Sequence, residues 1–495
     1  MIAPTAAGKP LDALRFDNSF ARLPAAFYER VKPTPIPHPK LAAFSSGAAR
    51  LIDLRPGEEV RESFLRFASG EAFPHTCAPV AAIYAGHQFG SFVPQLGDGR
   101  AILLGEVIND AGEHWEIQLK GSGRTPFSRF GDGRAVLRST IREFLCSEAM
   151  HHLGIPTTRA LAIAGSDEPV ARETMETAAT LVRLAPTFVR FGSFELFHYR
   201  AKHDEIRRLA DYLISRFLPH LIADEDRYER FFTHVVTETA ALFAAWQAVG
   251  FAHGVLNTDN MSILGLTLDY GPYGFLDAYE PGFICNHTDQ GGRYAFDRQP
   301  TIGLWNCYAL ANALTSLLGK VELETALAAY EPAFRDRYRQ TMIAKLGLMS
   351  ERDEDRELIV EVLRLLAAGR VDYTRFFRSL AAIGNTGSAA GEALVAESNE
   401  REAWEAWLAR YRARVAADGR SDADRHAAMN AVNPKFILRN YLAQQAIAAA
   451  ERGDYSELVT LQTVLEHPFD EQPDHERFAE APPAWAGDIE VSCSS

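Results

Sequence analysis

His253-Gly254-Val255-Leu256-Asn257-Thr258-Asp259-Asn260-Met261-Ser262-Ile263-Leu264, with Leu268-Asp269-Tyr270-Gly271 just beyond it, is the stretch on which the reading of this chain turns. Asn260 offers an amide oxygen and Asp269 a carboxylate, both hard donors of the kind Mg²⁺ takes. Asp259, directly beside Asn260, adds a carboxylate able to accept a proton from a hydroxyl. Taken alone, the same residues also suit a polar loop and a helix cap. What lies on either side decides between the two readings.

Toward the N-terminus, Ala101–Val107 and Trp115–Lys120 are short apolar runs joined by Asn109-Asp110-Ala111-Gly112, the pattern of an antiparallel hairpin. The second run ends on Lys120. A helix is predicted over Val136–His152 from apolar residues at helical spacing, closed by Gly154 and Pro156. It carries Glu143. Further strands are predicted at Ala160–Ala164 and Ala179–Leu184. From about Ile206 the pattern turns helical: Arg207–Phe217, Phe231–Val249, Leu304–Leu318, Glu402–Ala416 and Phe436–Arg452. The first sixty residues, with proline at 33, 35, 37 and 39, read as a largely irregular wrapping segment. Gly97-Asp98-Gly99-Arg100 recurs as Gly131-Asp132-Gly133-Arg134, which by itself is two Asp-Gly surface turns.

The bulk properties narrow the field. The 495 residues leave room for two or three domains, and 47% hydrophobic with 23% charged side chains is ordinary globular composition. A net charge of -14 disfavours extended nucleic-acid binding but not a nucleotide in a local basic pocket. Five cysteines without a CxxC pair argue against a disulfide framework and against a zinc ribbon. The N-terminus lacks a secretory pattern, and the most apolar stretch, near Ala240–Val255, is too short and polar to span a bilayer. A cytoplasmic enzyme without nucleic-acid or membrane partners is the expectation.

A strand-end lysine, a helix glutamate, then an asparagine and an aspartate in this order resemble the arrangement of kinase-like enzymes, in which His-x-Asp-x-x-x-x-Asn precedes Asp-Phe-Gly. The match departs at one place. Where the kinase catalytic aspartate belongs, this chain has Val255, which cannot orient or deprotonate a nucleophile. The nucleotide and metal apparatus is retained without the ordinary phosphotransfer base.

The stretches YAGHQFGSFVPQLGDGRAILLGE (84–106), EIQLKGSGRTPFSRFGDGRAVLRSTIREFL (116–145), HGVLNTDNMSILGLTLDYGPYGFLDAY (253–279) and NPKFILRNYLAQQAI (433–447) resemble the selenoprotein O family, kinase-like proteins once regarded as pseudokinases. The resemblance runs from about Tyr84 to the C-terminus. It implies an α+β, protein-kinase-like two-lobed fold: an N-terminal segment (1–60), a small β-rich N-lobe (61–200), a large helical C-lobe (201–450) and a tail (451–495). It implies ATP bound turned over, so that AMP passes to serine, threonine or tyrosine hydroxyls of proteins and pyrophosphate leaves. Lys120 with Glu143, and Arg183 and Arg190, would hold the phosphates; Gly97, Gly99, Arg100, Asp132 and Gly133 would line the nucleotide pocket. Asp259 would be the proton acceptor, and Asn260 and Asp269 would bind Mg²⁺, with Mn²⁺ as an alternative. Cys493 stands where some members carry selenocysteine, and a reversible disulfide to Cys285 and two free thiols are both open. Two rival functions also stay open, a conventional phosphotransferase and an inactive nucleotide-binding scaffold.

Overall fold

A computed structural model describes residues 8–383 and 400–491. Three strands come early, Phe16–Asp17 (β1), Tyr28–Arg30 (β2) and Lys40–Phe44 (β3), followed by the short helices Ser46–Leu51 (α1) and Glu62–Ala68 (α2). Next are Val80–Ala82 (β4), a small hairpin of Gly86–Gln88 (β5) and Ser91–Val93 (β6), and the predicted hairpin, Ala101–Ile108 (β7) with His114–Lys120 (β8). Ala135–Val136 (β9) leads into Leu137–His152 (α3), and Arg159–Ala171 (β10) pairs with Met175–Ala185 (β11). Together these form a nine-stranded antiparallel sheet among the described residues, in the order β2-β4-β7-β8-β11-β10-β3, with β1 on β7 and β9 on β11. The fold is mixed α/β around that sheet.

The N-terminal stretch was expected to be irregular, yet it supplies three of the sheet's strands. The alternating prolines lie between β2 and β3, where missing amide donors forbid a ladder, so only that part is extended coil. Its neighbours pair with distant strands, and a local pattern carries no trace of such partners.

One sheet face packs on α3 and the helices Phe191–Tyr199 (α4), His203–Phe217 (α5), Arg227–Val249 (α6) and Gln299–Ala313 (α7), sharing one apolar core with the helix Asn440–Ala450. The other face is closed by α1, α2 and the N-terminal segment. A third cluster binds the helices Tyr330–Lys345, Asp355–Gly369, Tyr373–Leu380 and Arg401–Ala416. The helix expected over Phe436–Arg452 begins only at Asn440, because the Lys435 and Phe436 amides are both taken by the Pro468 carbonyl. That expected over Leu304–Leu318 starts earlier and stops at Ala313. No helix among the described residues is long and apolar enough to cross a membrane. Cys493 lies outside the described residues, and the pairing with Cys285 with it.

Candidate active site

Strand register brings the basic groups together. Arg183 on β11 lies opposite Gln118 on β8, so its side chain and that of Lys120 emerge on one face of the sheet above α3. There the Glu143 carboxylate splits its oxygens, one 2.5 Å from Lys120 Nζ and the other 2.8 Å from Arg183 Nη1. Arg183 also reaches Asp269 Oδ1 at 2.5 Å, and Arg190, just before α4, reaches Asp269 Oδ2 at 2.8 Å. Each guanidinium rests on an aromatic face: Arg183 on Phe188 at 5.3 Å, Arg190 on Tyr84 at 4.6 Å. Burial alone would raise Asp269, but Arg190, Arg183 and Lys120 outweigh it and hold the carboxyl well below its usual range. Burial lowers Lys120 and Arg100.

The charges do not cancel. Lys120, Arg183 and Arg190 face two carboxylates, Glu143 and Asp269, and half-buried Arg100 adds a further cation that pairs with no carboxylate among the described residues. An uncompensated buried cation is costly, so the arrangement suits a polyanion.

Opposite the cations sits the loop after α6. Gly250 ends that helix in the left-handed conformation, and Gly254 (φ +79°) allows the chain to pass Pro272, whose carbonyl would lie 1.9 Å from any Cβ there. His253 Nε2 lies 2.9 Å from the Leu268 carbonyl, tying this loop to the turn that presents Asp269 with φ +56°. Asp259 is buried in a tight turn. Its Oδ2 accepts from Gln88 Nε2 at 3.1 Å, its Oδ1 has no partner, and burial pushes the carboxyl up to about 6. Asn260 Nδ2 donates to the Val255 carbonyl at 3.1 Å, which leaves its amide oxygen available as a ligand.

The three cations, Arg100, Asp259, Asn260 and Asp269 open on one cavity of about 650 Å³. Its lining includes Gly97, Gly99, Arg100, Lys120, Asp132, Gly133, Arg183, Arg190, Asp259, Asn260 and Asp269. Glu143 stands behind them as the buried partner of Lys120 and Arg183. The glycines at 97 and 99 make room for the chain itself: a Cβ on Gly97 would meet the Phe127 ring at 2.5 Å, and one on Gly99 the Phe127 carbonyl at 3.0 Å. Gly133 lies so close to Gly123 that a Cβ would fall 2.1 Å from its carbonyl. Asp132 faces the cavity with its carboxylate already held by Arg172 through two bonds of 2.8 and 2.9 Å.

Sequence reasoning missed Gln88 and Arg172. It also missed the network behind Asp259: His87 Nδ1 lies 2.5 Å from Glu195, Thr258 Oγ1 donates to the same carboxylate, and the His87 amide donates to Thr258 Oγ1 at 2.7 Å. The one local signal was the polar pair His87-Gln88 inside an apolar, glycine-flanked run.

A deep pocket with surplus cations on one wall and a half-satisfied carboxylate on the other defines a class of enzyme that handles a phosphorylated substrate. The chain matches the family described as Protein adenylyltransferase SelO over residues 10–466, and it belongs to that family. It is 56% identical over 485 residues to the protein nucleotidyltransferase YdiU of Myxococcus xanthus, covering 98% of this chain and 99% of the relative. Its identity to the YdiU proteins of Thiobacillus denitrificans and Thioalkalivibrio sulfidiphilus is likewise 56%, over 486 and 491 residues, with the same coverage.

Proposed function

We propose that this chain is an ATP-dependent protein adenylyltransferase, which moves AMP from ATP to serine, threonine or tyrosine hydroxyls of other proteins. The observation that carries the mechanism is the buried Asp259 carboxylate, only one of whose oxygens is hydrogen-bonded, lining the same cavity as Lys120, Arg183 and Arg190. In the reaction the acceptor oxygen bonds to the α-phosphorus, the bond from that phosphorus to the bridging oxygen breaks, and pyrophosphate leaves. The Asp259 carboxylate takes the hydroxyl proton, and Gln88 fixes its orientation through Oδ2. Lys120, Arg183 and Arg190 balance charge on the phosphates and on the leaving group, and Glu143 and the two aromatic faces hold them in place.

A divalent cation fits the donor set: the Asn260 amide oxygen is turned free, and each Asp269 oxygen, though bonded to an arginine, keeps a second lone pair. Bound there, Mg²⁺ or Mn²⁺ would supply charge neutralisation on the phosphates. On this reading the sheet-bearing part (61–200) and the helical part (201–450) are the two lobes of a kinase-like fold, flanked by the segment 1–60 and the tail 451–495, and the enzyme works in the cytoplasm.

The test uses ATP labelled separately at the α and γ positions. Retention of the α label alone on protein supports AMP transfer. Retention of the γ label assigns a phosphotransferase, and retention of neither, with nucleotide still bound, assigns a scaffold.

A further inference from the structure

The hairpin β5–β6 does more than bring Gln88 to Asp259. Its next residue, Phe89, 41% exposed, has its amide fixed by Asn257 Oδ1 at 3.2 Å and Tyr294 Oη at 3.0 Å, and its ring lies 5.0 Å from that of Tyr294. Gly90 then passes against Arg293: a Cβ there would fall 3.2 Å from the guanidinium carbon. The Arg293 guanidinium sits 4.8 Å from the ring centre of Trp305 on α7, and Trp305 in turn meets His87 edge-on at 5.4 Å. Arg293 pairs with no carboxylate among the described residues, and its Nε is buried without a partner. The nearby Asp289 carboxylate is taken up by the Arg293 and Tyr294 backbone amides at 2.9 and 2.7 Å. The guanidinium also meets the Tyr294 hydroxyl, a neutral partner that leaves its charge uncompensated, and a guanidinium edge matches a carboxylate through two parallel bonds.

The place of this cation follows from chain geometry. Phe89 and Gly90 are the tight turn of the hairpin, with φ +50° and +84°, so Arg293 against Gly90 stays close to the glutamine that touches Asp259, within the span of a few residues of an extended substrate at about 3.3 Å per residue. We infer that Arg293, with Phe89 beside it, is a specificity-determining residue that reads an aspartate or glutamate two or three residues from the acceptor hydroxyl of the protein substrate. The inference rests on the adenylyl-transfer reading of the same cavity and gives its substrate a chemical class: hydroxyl-bearing segments with acidic flanks. A chain of net charge -14 repels such segments at long range, so one arginine without a carboxylate partner, beside the hairpin turn, discriminates locally.

The experiment uses the full chain and peptide libraries with a fixed central serine, threonine or tyrosine and degenerate flanks, read by the mass of AMP adducts. The wild-type enzyme is expected to enrich acidic residues at the second or third flanking position by about tenfold, the worth of one charge-assisted pair. R293E is expected to reverse the preference toward lysine and arginine, an outcome that a merely damaged protein would not give. Adducts with no acidic enrichment in the wild type, or an acidic preference surviving in R293E, overturn the assignment. Phosphate adducts in place of AMP overturn the parent reading, and this inference with it, and are told apart by mass.

Discussion

Lys345 is 3% exposed at the end of its helix, with Nζ 4.3 Å from the centre of the Phe377 ring and 5.3 Å from that of Tyr373, and no carboxylate pairs with it among the described residues. Burial pushes its ammonium down from 10.5 to about 7. Between those values the folded chain binds fewer protons at this site than the unfolded chain, so stability rises with pH across that interval. The gap, at ~1.4 kcal/mol per pH unit, amounts to about 5 kcal/mol withheld below pH 7. Lys345→Met keeps an unbranched apolar side chain and removes the charge. The variant should be the more stable at pH 7 by about 4 kcal/mol, and its advantage should shrink by about 1.4 kcal/mol per unit as pH climbs toward 10. Urea unfolding of both proteins at pH 7, 8 and 9 measures the difference, which cancels the titration of every shared group. A difference independent of pH would refute the argument. Tyr373 donates to the Ala248 carbonyl at 3.1 Å and packs against Gly250, so these rings also back the turn that leads to Asp259.

Three more expectations concern the cavity. Asp259→Asn should lower the rate of AMP transfer by 10²–10⁴-fold, the usual worth of a positioned base, while calorimetry still detects ATP binding. Glu143→Gln removes the one carboxylate paired with Lys120 and leaves Arg183 with Asp269 alone; a loss of about 3 kcal/mol of stability is expected in denaturant titrations, with ATP recovering part of it by binding the folded state. Gly133→Ala combines φ +73° with a 2.1 Å clash against Gly123, and should cost about 3 kcal/mol and displace the 124–134 loop, seen as faster proteolysis of that loop.

Much of the sheet and the cation wall could be read from local pattern. The β7–β8 hairpin, α3 from Leu137 and its closure at Gly154 follow from period and punctuation, and the structure places them within a residue or two. Lys120, Glu143, Arg183, Arg190 and Asp269, named from motif order and family resemblance, meet in one ion-paired cluster. What stayed hidden depends on partners far away in sequence. Gln88 is unremarkable until β5 folds against Asp259, and Arg172 has meaning only across the turn from Asp132. The early strands β1–β3 are too short to show a period, and they exist because β7, β4 and β10 offer them edges. The two Gly-Asp-Gly-Arg copies share a spelling and differ in use: Asp98 is buried under Tyr84 and Gln118, whereas Asp132 is half exposed on Arg172.

The contact between Gln88 and Asp259 spans 171 positions of chain, and that between Gln462 and the Phe44 carbonyl spans 418. A ribosome adding roughly 5–20 residues per second therefore keeps the nascent hairpin waiting on the order of ten to thirty seconds before Asp259 emerges. The growing polypeptide holds no working half-enzyme during that time. The two walls of the cavity meet only once the chain has passed Asp269, and the Gln462 contact to Phe44 closes later still.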